Sequence, residues 1–316
     1  MPAAAYSRPR VPPQDNRYPA SPLGNDPPQV PFQRVALVVH PTRGIDRVLA
    51  DLHRWTDAEG LELVQLGAEG SQRVVAPAGT VTASDLVVAL GGDGTVLAAL
   101  RLAADTRTPV LGVACGSLGA LSAVPGDELE SALARFRSGD WITRSLPVLK
   151  MAYEAGEDWA INDVVLVRRG AGQIAADVAI DDELYVRLAG DGVVVATPLG
   201  SSAYSLALGG AILPAGTQAF LCTPLAMHAG SAAPLVVPAD AGLTIDIDPG
   251  YAGFDVEIDG QRRHREGMHF RFVMHPDRVS LVTFATMGRG LAGLRRRGII
   301  ADSPRIAIRD KRRPRP

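Results

Sequence analysis

From residue 34 to about residue 140 the apolar positions follow two alternating rhythms. Val35-Ala-Leu-Val-Val39, Leu61–Leu66, Leu86–Leu90 and Val110–Val113 are short, nearly unbroken apolar runs, the pattern of strands covered on both faces. Between the first two, Ile45, Val48, Leu49, Leu52 and Trp55 recur at helical spacing and predict a helix over 45–59, stopped by Gly60. Further helices are expected at Thr95–Ala104 and Asp127–Ser138, the second closed by Gly139. Strand and helix in alternation predict a parallel sheet with helices on its faces.

After about Ser145 the rhythm changes. Short β-rich segments follow one another: Val148–Glu154, Trp159–Val167, Ile174–Ile180, Leu184–Leu188, Val193–Thr197, Ala219–Thr223, and so on to Val279–Phe284. Turn signals (Asp181-Asp182, Asp191-Gly192, Asp259-Gly260) fall between several of them. The expectation is an α/β N-terminal domain with a parallel, Rossmann-like sheet (34–145), plus an all-β, sandwich-like C-terminal domain (146–290). A flexible leader (1–33) holds nine of the chain's 24 prolines in its first 31 residues, and a C-terminal segment (291–316) ends in a basic tail.

Composition narrows the function classes. The 316 residues amount to two ordinary domains, and 47% hydrophobic content allows a sizeable core, so disorder of the whole chain is excluded. Aromatics at 5% argue against a base-stacking nucleic-acid platform, and a net charge of −2 leaves no basic field over the body. Arg305 to Pro316 carries six basic residues and one acidic one, most simply a solvated terminus. Two cysteines, Cys115 and Cys222, support neither a disulfide framework nor a zinc site, and no secretory signal is visible. The 48 residues Gly192–Ala239 contain no Asp, Glu, Lys or Arg, but glycines and prolines interrupt them throughout, so they predict buried strands and turns, with no membrane span. A cytoplasmic protein is expected.

The chemistry concentrates in Gly91-Gly92-Asp93-Gly94-Thr95, which follows an apolar strand and opens a helix. Such a turn gathers backbone N–H groups and the positive end of a helix dipole, a natural phosphate site. Glycines allow an anion close approach. A carboxylate here would repel phosphate unless it binds a metal or takes a proton, as a phosphoryl-transfer base does. A bare Asp-Gly is otherwise an ordinary turn. Asn162-Asp163 supplies donors and acceptors for a ribose diol, though an Asx turn reads equally well. Asp191 opens the uncharged stretch and should face a pocket. Ser201, Ser202, Tyr204 and Ser205 crowd hydroxyls beside Gly200. His228, alone in an apolar segment, reads as structural.

Taken together, Gly91–Thr95, Asn162-Asp163 and the run Thr197-Pro-Leu-Gly-Ser-Ser-Ala-Tyr-Ser-Leu-Ala-Leu-Gly-Gly210 resemble the NAD kinase family over about residues 34–290. The first motif is shared with lipid kinases and phosphofructokinases; the third is far more specific. The resemblance implies transfer of a phosphoryl group from ATP or polyphosphate to the 2′-hydroxyl of the adenosine ribose of NAD, giving NADP. It implies Mg²⁺ or another divalent metal, and a homodimer or homotetramer. It makes Asp93 the base, with Gly91, Gly92, Gly94, Thr95, Asn162, Asp163, Asp191, Ser202, Ala203, Tyr204, Ser205 and Gln261 around the nucleotides.

Departures from the family pattern are Ala114 for the usual Asn, Ala120 for a stacking aromatic, Ser202 for Thr, Ala189 for a basic residue and Ala233 for an Arg. These bear on substrate affinity and donor choice more than on reaction type. They motivate a second reading, a nucleotide-binding regulator of the same fold that has lost catalysis. A lipid kinase sharing the first motif is a third, disfavoured by the Asn-Asp pair and the Ser-Ala-Tyr-Ser segment.

Overall fold

The computed structural model describes residues 32–67, 72–228, 230–284, 294–295, 298–301 and 303–305. Apart from Phe32 and Gln33, the expected leader lies outside these residues, as does most of the C-terminal segment, including the basic tail beyond Arg305. Phe32 itself packs its ring against Trp55 and Phe136, with centroids 6.1 and 5.4 Å away.

The parallel sheet runs Ala78–Gly79, Glu62–Leu66, Arg34–Val39, Leu86–Gly91, Val110–Ala114, each strand paired with the next. Consecutive residues point to opposite faces. Thus Val35, Leu37, Leu86, Val88 and Leu90 meet the helices Asp46–Ala58 and Leu129–Arg137 through Leu52, Leu133 and Phe136. Ala36, Val38, Val87 and Ala89 meet the helix Asp93–Ala103 on the other side through Val96 and Leu100. Burial on both faces explains the unbroken apolar runs. The chain leaves Arg34–Val39 for one side of the sheet and returns to the other at Leu86–Gly91. The crevice at the carboxyl ends of these two strands is therefore the topological switch point, where open α/β sheets bind ligands.

From Ile142 onward the strands are antiparallel and form two sheets packed face to face. One runs Gly156–Ala160, Ile142–Tyr153, His269–Thr283, Leu243–Asp248, Ile174–Ile180, Glu183–Gly190. The other runs Leu235–Pro238, Ala219–Met227, 190–196, Asp163–Arg168, Phe254–Ile258, Gln261–Arg263. Met151, Val178, Val195, Phe220, Val256 and Phe272 fill the space between them. The sandwich is joined to the parallel sheet where Leu281 pairs with Val110. The described residues from Phe32 onward belong to one compact unit.

Several expected breaks are absent. Asp191-Gly192 is not a turn: Glu183–Ala196 is one strand that passes from the first sheet of the sandwich into the second. Gly192 serves close approach there, since a Cβ on it would collide with the Leu166 carbonyl. His275–Arg278 does not end a strand either; His269–Thr283 absorbs it as a register shift against Ile142–Tyr153. Conversely, the expected strand Trp159–Val167 is two strands, separated at Ile161-Asn162. The turns at Asp181-Asp182 and Asp259-Gly260 form as expected, with positive φ at both residues of each pair, the geometry of tight hairpins.

Candidate active site

The elbow helix begins at Asp93, two residues earlier than its apolar periodicity indicates, with Gly92 at the N-cap and no side-chain cap. Its first-turn N–H groups therefore face the switch-point crevice without an internal acceptor side chain. Gly91 is obligatory because a Cβ would strike the hydroxyl of buried Thr95. Asp93 stands at the helix start, and its carboxylate accepts one N–H on each oxygen: Ala120 to Oδ2 (2.9 Å) and Leu121 to Oδ1 (3.0 Å). A carboxylate oxygen has two lone pairs. The loop thus fixes the orientation of Asp93 and leaves each oxygen one more bond to accept. Gly119 lets the loop lie this close, since a Cβ there would collide with the same carboxylate. The Ala120 contact is made by backbone, so the small side chain at this position does not weaken it.

Asn162-Asp163 and the third motif form one packed unit. Thr197 donates its N–H to the Asn162 carbonyl (2.9 Å) and its hydroxyl to the Ile161 carbonyl (2.7 Å). Gly200 donates back to the Thr197 hydroxyl (3.1 Å), and only glycine fits there, against the Asn162 backbone. Ser205 turns its hydroxyl inward to Thr223 (2.8 Å), and Ser202 bonds the Leu199 carbonyl (3.3 Å). Tyr204 is 41% exposed, beside exposed Ala203.

What ties this unit to the elbow was not legible as a motif. Asp259, its side chain wholly buried, accepts N–H groups from Ile161 (3.0 Å), Asn162 (2.6 Å) and Asp163 (3.2 Å). Arg101, two turns along the elbow helix from Asp93, donates to the same carboxylate (2.8 Å) and to Gln261 Oε1 (3.3 Å). Leu199 packs on the cluster containing Val96 and Leu97 of that helix. The elbow, the Asn-Asp pair, the third motif and Gln261 are therefore one connected construction. Only the Asp-Gly dipeptide at 259 hinted at it, and it read as a hairpin. Burial, with Asp259 and Glu257 nearby, pushes the Asp163 carboxyl up to about 7.

Asp191 lies elsewhere. The strand register pairs its neighbour Gly192 with Val167, while Asp163 pairs with Ala196, five residues beyond Asp191 or about 16 Å along the strand. Its carboxylate meets Arg168 Nε (2.5 Å) and His228 Nε2 (3.1 Å), and the Arg168 bond holds it below the usual carboxylate range. Arg168 lies at the end of the neighbouring strand Asp163–Arg168. His228 also bonds Gln173 (2.9 Å), which precedes the strand Ile174–Ile180, and so links that residue to Asp191.

Two stretches of the chain match family profiles: residues 56–141 match one described as ATP-NAD kinase N-terminal domain, and residues 161–272 one described as ATP-NAD kinase C-terminal domain. An NAD kinase of Shewanella frigidimarina is 32% identical over 247 residues, covering 72% of this chain and 78% of that protein. The chain belongs to the NAD kinase family. An NAD kinase of Carboxydothermus hydrogenoformans is 37% identical over 184 residues, and the match spans 56% of this chain and 66%, just under two thirds, of that relative's length. Among solved structures, yeast NADH kinase complexed with NADH superposes with a TM-score of 0.72 at 23% identity, covering 87% of this chain and 89% of that one. An Archaeoglobus fulgidus NAD kinase in complex with ATP gives 0.65 at 21% identity, covering 85% and 100%. At these identities the two structures establish the NAD kinase fold. No helix among the described residues is long and apolar enough to cross a membrane.

Proposed function

We propose that this protein is an NAD kinase, transferring the γ-phosphoryl group of ATP, or the terminal group of polyphosphate, to the 2′-hydroxyl of the adenosine ribose of NAD. The observation that carries the reading is Asp93, held by two backbone N–H groups at an uncapped helix start. The proton of the 2′-hydroxyl passes to Asp93 as the new P–O bond forms and the bond to the leaving group, ADP or the shortened polyphosphate, breaks. The glycine elbow and helix dipole stabilise charge on the transferring group. Asn162 and Asp163, positioned through Asp259, and Gln261, held by Arg101, bind the ribose, while exposed Tyr204 offers a ring face to the dinucleotide. Asp191, with Arg168, serves a more distant part of the bound nucleotide.

A divalent ion fits this site in a particular way. Among the described residues no group of three His, Cys, Asp or Glu side chains could cage a metal. Asp93, with an open lone pair on each oxygen, is the carboxylate that would face a Mg²⁺ bound to the donor phosphates, and the ion would supply charge neutralisation there. Assembly of identical chains, as a dimer or tetramer, belongs to the same reading. Its support is the set of exposed apolar side chains on the β-rich part, Leu184, Tyr185, Val236 and Tyr251. The test is NADP formation from NAD with ATP and with polyphosphate in parallel. Binding of NAD without NADP from either donor favours the regulator.

A further inference from the structure

The turn His40–Arg43 closes the crevice on the side facing the elbow, and no motif drew attention to it. His40 is tied to the elbow strand by its own N–H, which donates to the Leu90 carbonyl (3.0 Å). Its Nδ1 accepts the N–H groups of Thr42 (3.2 Å) and Arg43 (3.0 Å). A ring nitrogen that accepts carries no proton, so this imidazole is neutral here. Burial, then the charges of Arg43 and Arg73, pushes its pKa down in the same direction. Arg73 holds the far side of the turn, donating to the Arg43 carbonyl (2.6 Å) and to Asp46 (2.7 Å).

The result is an arginine with a fixed backbone and an uncommitted head. Its Nη1 touches the Cys115 carbonyl at 3.5 Å, a long bond, and no carboxylate pairs with it among the described residues. The same nitrogen lies between two glycine loops: a Cβ on Gly92 would stand 3.4 Å from it, and one on Gly116 3.2 Å. Gly92 caps the elbow helix and Gly116 follows the strand Val110–Ala114, so the guanidinium sits across the carboxyl ends of adjacent strands. Beyond Cys115 and Gly116 opens a cleft of about 490 Å³.

We propose that Arg43 binds the polyphosphate chain of the phosphoryl donor, its guanidinium bridging non-terminal phosphate oxygens while the terminal group faces Asp93. This rests on the kinase reading and adds to it the residue that recognises the donor. A guanidinium fork matches two phosphate oxygens, and charge-assisted bonds of this kind are about twice as strong as neutral ones. The His40 acceptor and the Arg73 clamp fix the turn before the donor arrives, which lowers the ordering cost of binding. ATP and inorganic polyphosphate share the chemistry Arg43 would recognise.

The experiment compares wild type, Arg43→Lys and Arg43→Ala, each checked by circular dichroism. Steady-state kinetics should show KM for ATP raised about tenfold or more in Arg43→Ala, with KM for NAD within about twofold and Arg43→Lys between the two. Tripolyphosphate should inhibit wild type competitively with ATP, and its Ki should rise in parallel in Arg43→Ala. An unchanged KM for ATP in either folded variant, or a risen KM with an unchanged tripolyphosphate Ki, overturns the proposal. Calorimetric titration of tripolyphosphate reads the same contact without turnover. If wild type makes no NADP yet loses tripolyphosphate binding on Arg43→Ala, the phosphate contact stands and the kinase reading falls. If NADP forms and tripolyphosphate binding ignores the substitution, the reverse holds.

Discussion

Asp163 is a carboxyl group that the fold makes uncomfortable. It is 5% exposed, and burial, with Asp259 and Glu257 nearby, raises it from an ordinary 3.8 to about 7. A carboxyl raised on folding contributes stability below its unfolded pKa, and that contribution is lost as pH rises through the folded one. Its window is thus about pH 4 to 7, and the cost of the ionised form is of order 4 kcal/mol at most. Asp163→Asn should therefore be more stable than wild type to urea at pH 8 and gain little at pH 4. Equal differences at both pH values would remove Asp163 from the pH dependence. Gly119 carries a second prediction at this scale. Alanine there pushes against the Asp93 carboxylate, so Gly119→Ala should cut kcat by about 10²-fold, the scale on which a positioned base acts, while leaving KM for NAD nearly unchanged. A near-normal kcat would show that the loop does not orient Asp93.

The elbow helix couples two motifs that are about seventy residues apart in the chain. Arg101 donates to a carboxylate that also collects three successive backbone N–H groups from Ile161 to Asp163. Removing one partner of a buried pair leaves an uncompensated charge, at about 3 kcal/mol or more. Arg101→Ala should lower the denaturant midpoint by that order and raise KM for NAD, because the Asn162 segment loses its anchor; adding Asp259→Asn should recover part of the stability. A fully stable Arg101→Ala would contradict the coupling. This bond also marks where reading the sequence stops. The apolar runs gave the parallel strands, because burial on both faces leaves a local signature. The elbow and the Ser-Ala-Tyr-Ser segment were visible because glycines and hydroxyls cluster in sequence. Arg101–Asp259, by contrast, joins positions 158 residues apart, and neither residue is unusual among its neighbours. Asp191-Gly192 misled for a related reason: glycine serves turns and close strand approach alike, and only the Leu166 carbonyl decides between them.

For the molecule as a whole, the change of strand direction near residue 142 does not coincide with a break in the core. Leu146, Val148, Ile161, Val279 and Leu281 share a buried cluster with Val87, Val96 and Leu100 of the parallel part. The elbow helix is thus covered on its outer side by the later half of the chain. A fragment of residues 32–145 should expose that surface, bind a hydrophobic dye and unfold without a cooperative transition, whereas the full chain unfolds cooperatively. A sharp transition in the fragment would show that the first part folds by itself. The same shared core holds the elbow that carries Asp93, the proposed base, in register with the Asn162-Asp163 segment proposed to hold the ribose. The most direct test is the single-turnover rate of NADP formation at saturating NAD, ATP and Mg²⁺, wild type against Asp93→Asn. Wild type should form NADP, and the variant should still bind NAD but react about 10² to 10⁴ times more slowly. A variant within a few-fold of wild type, or a folded wild type that forms no NADP, would contradict the account.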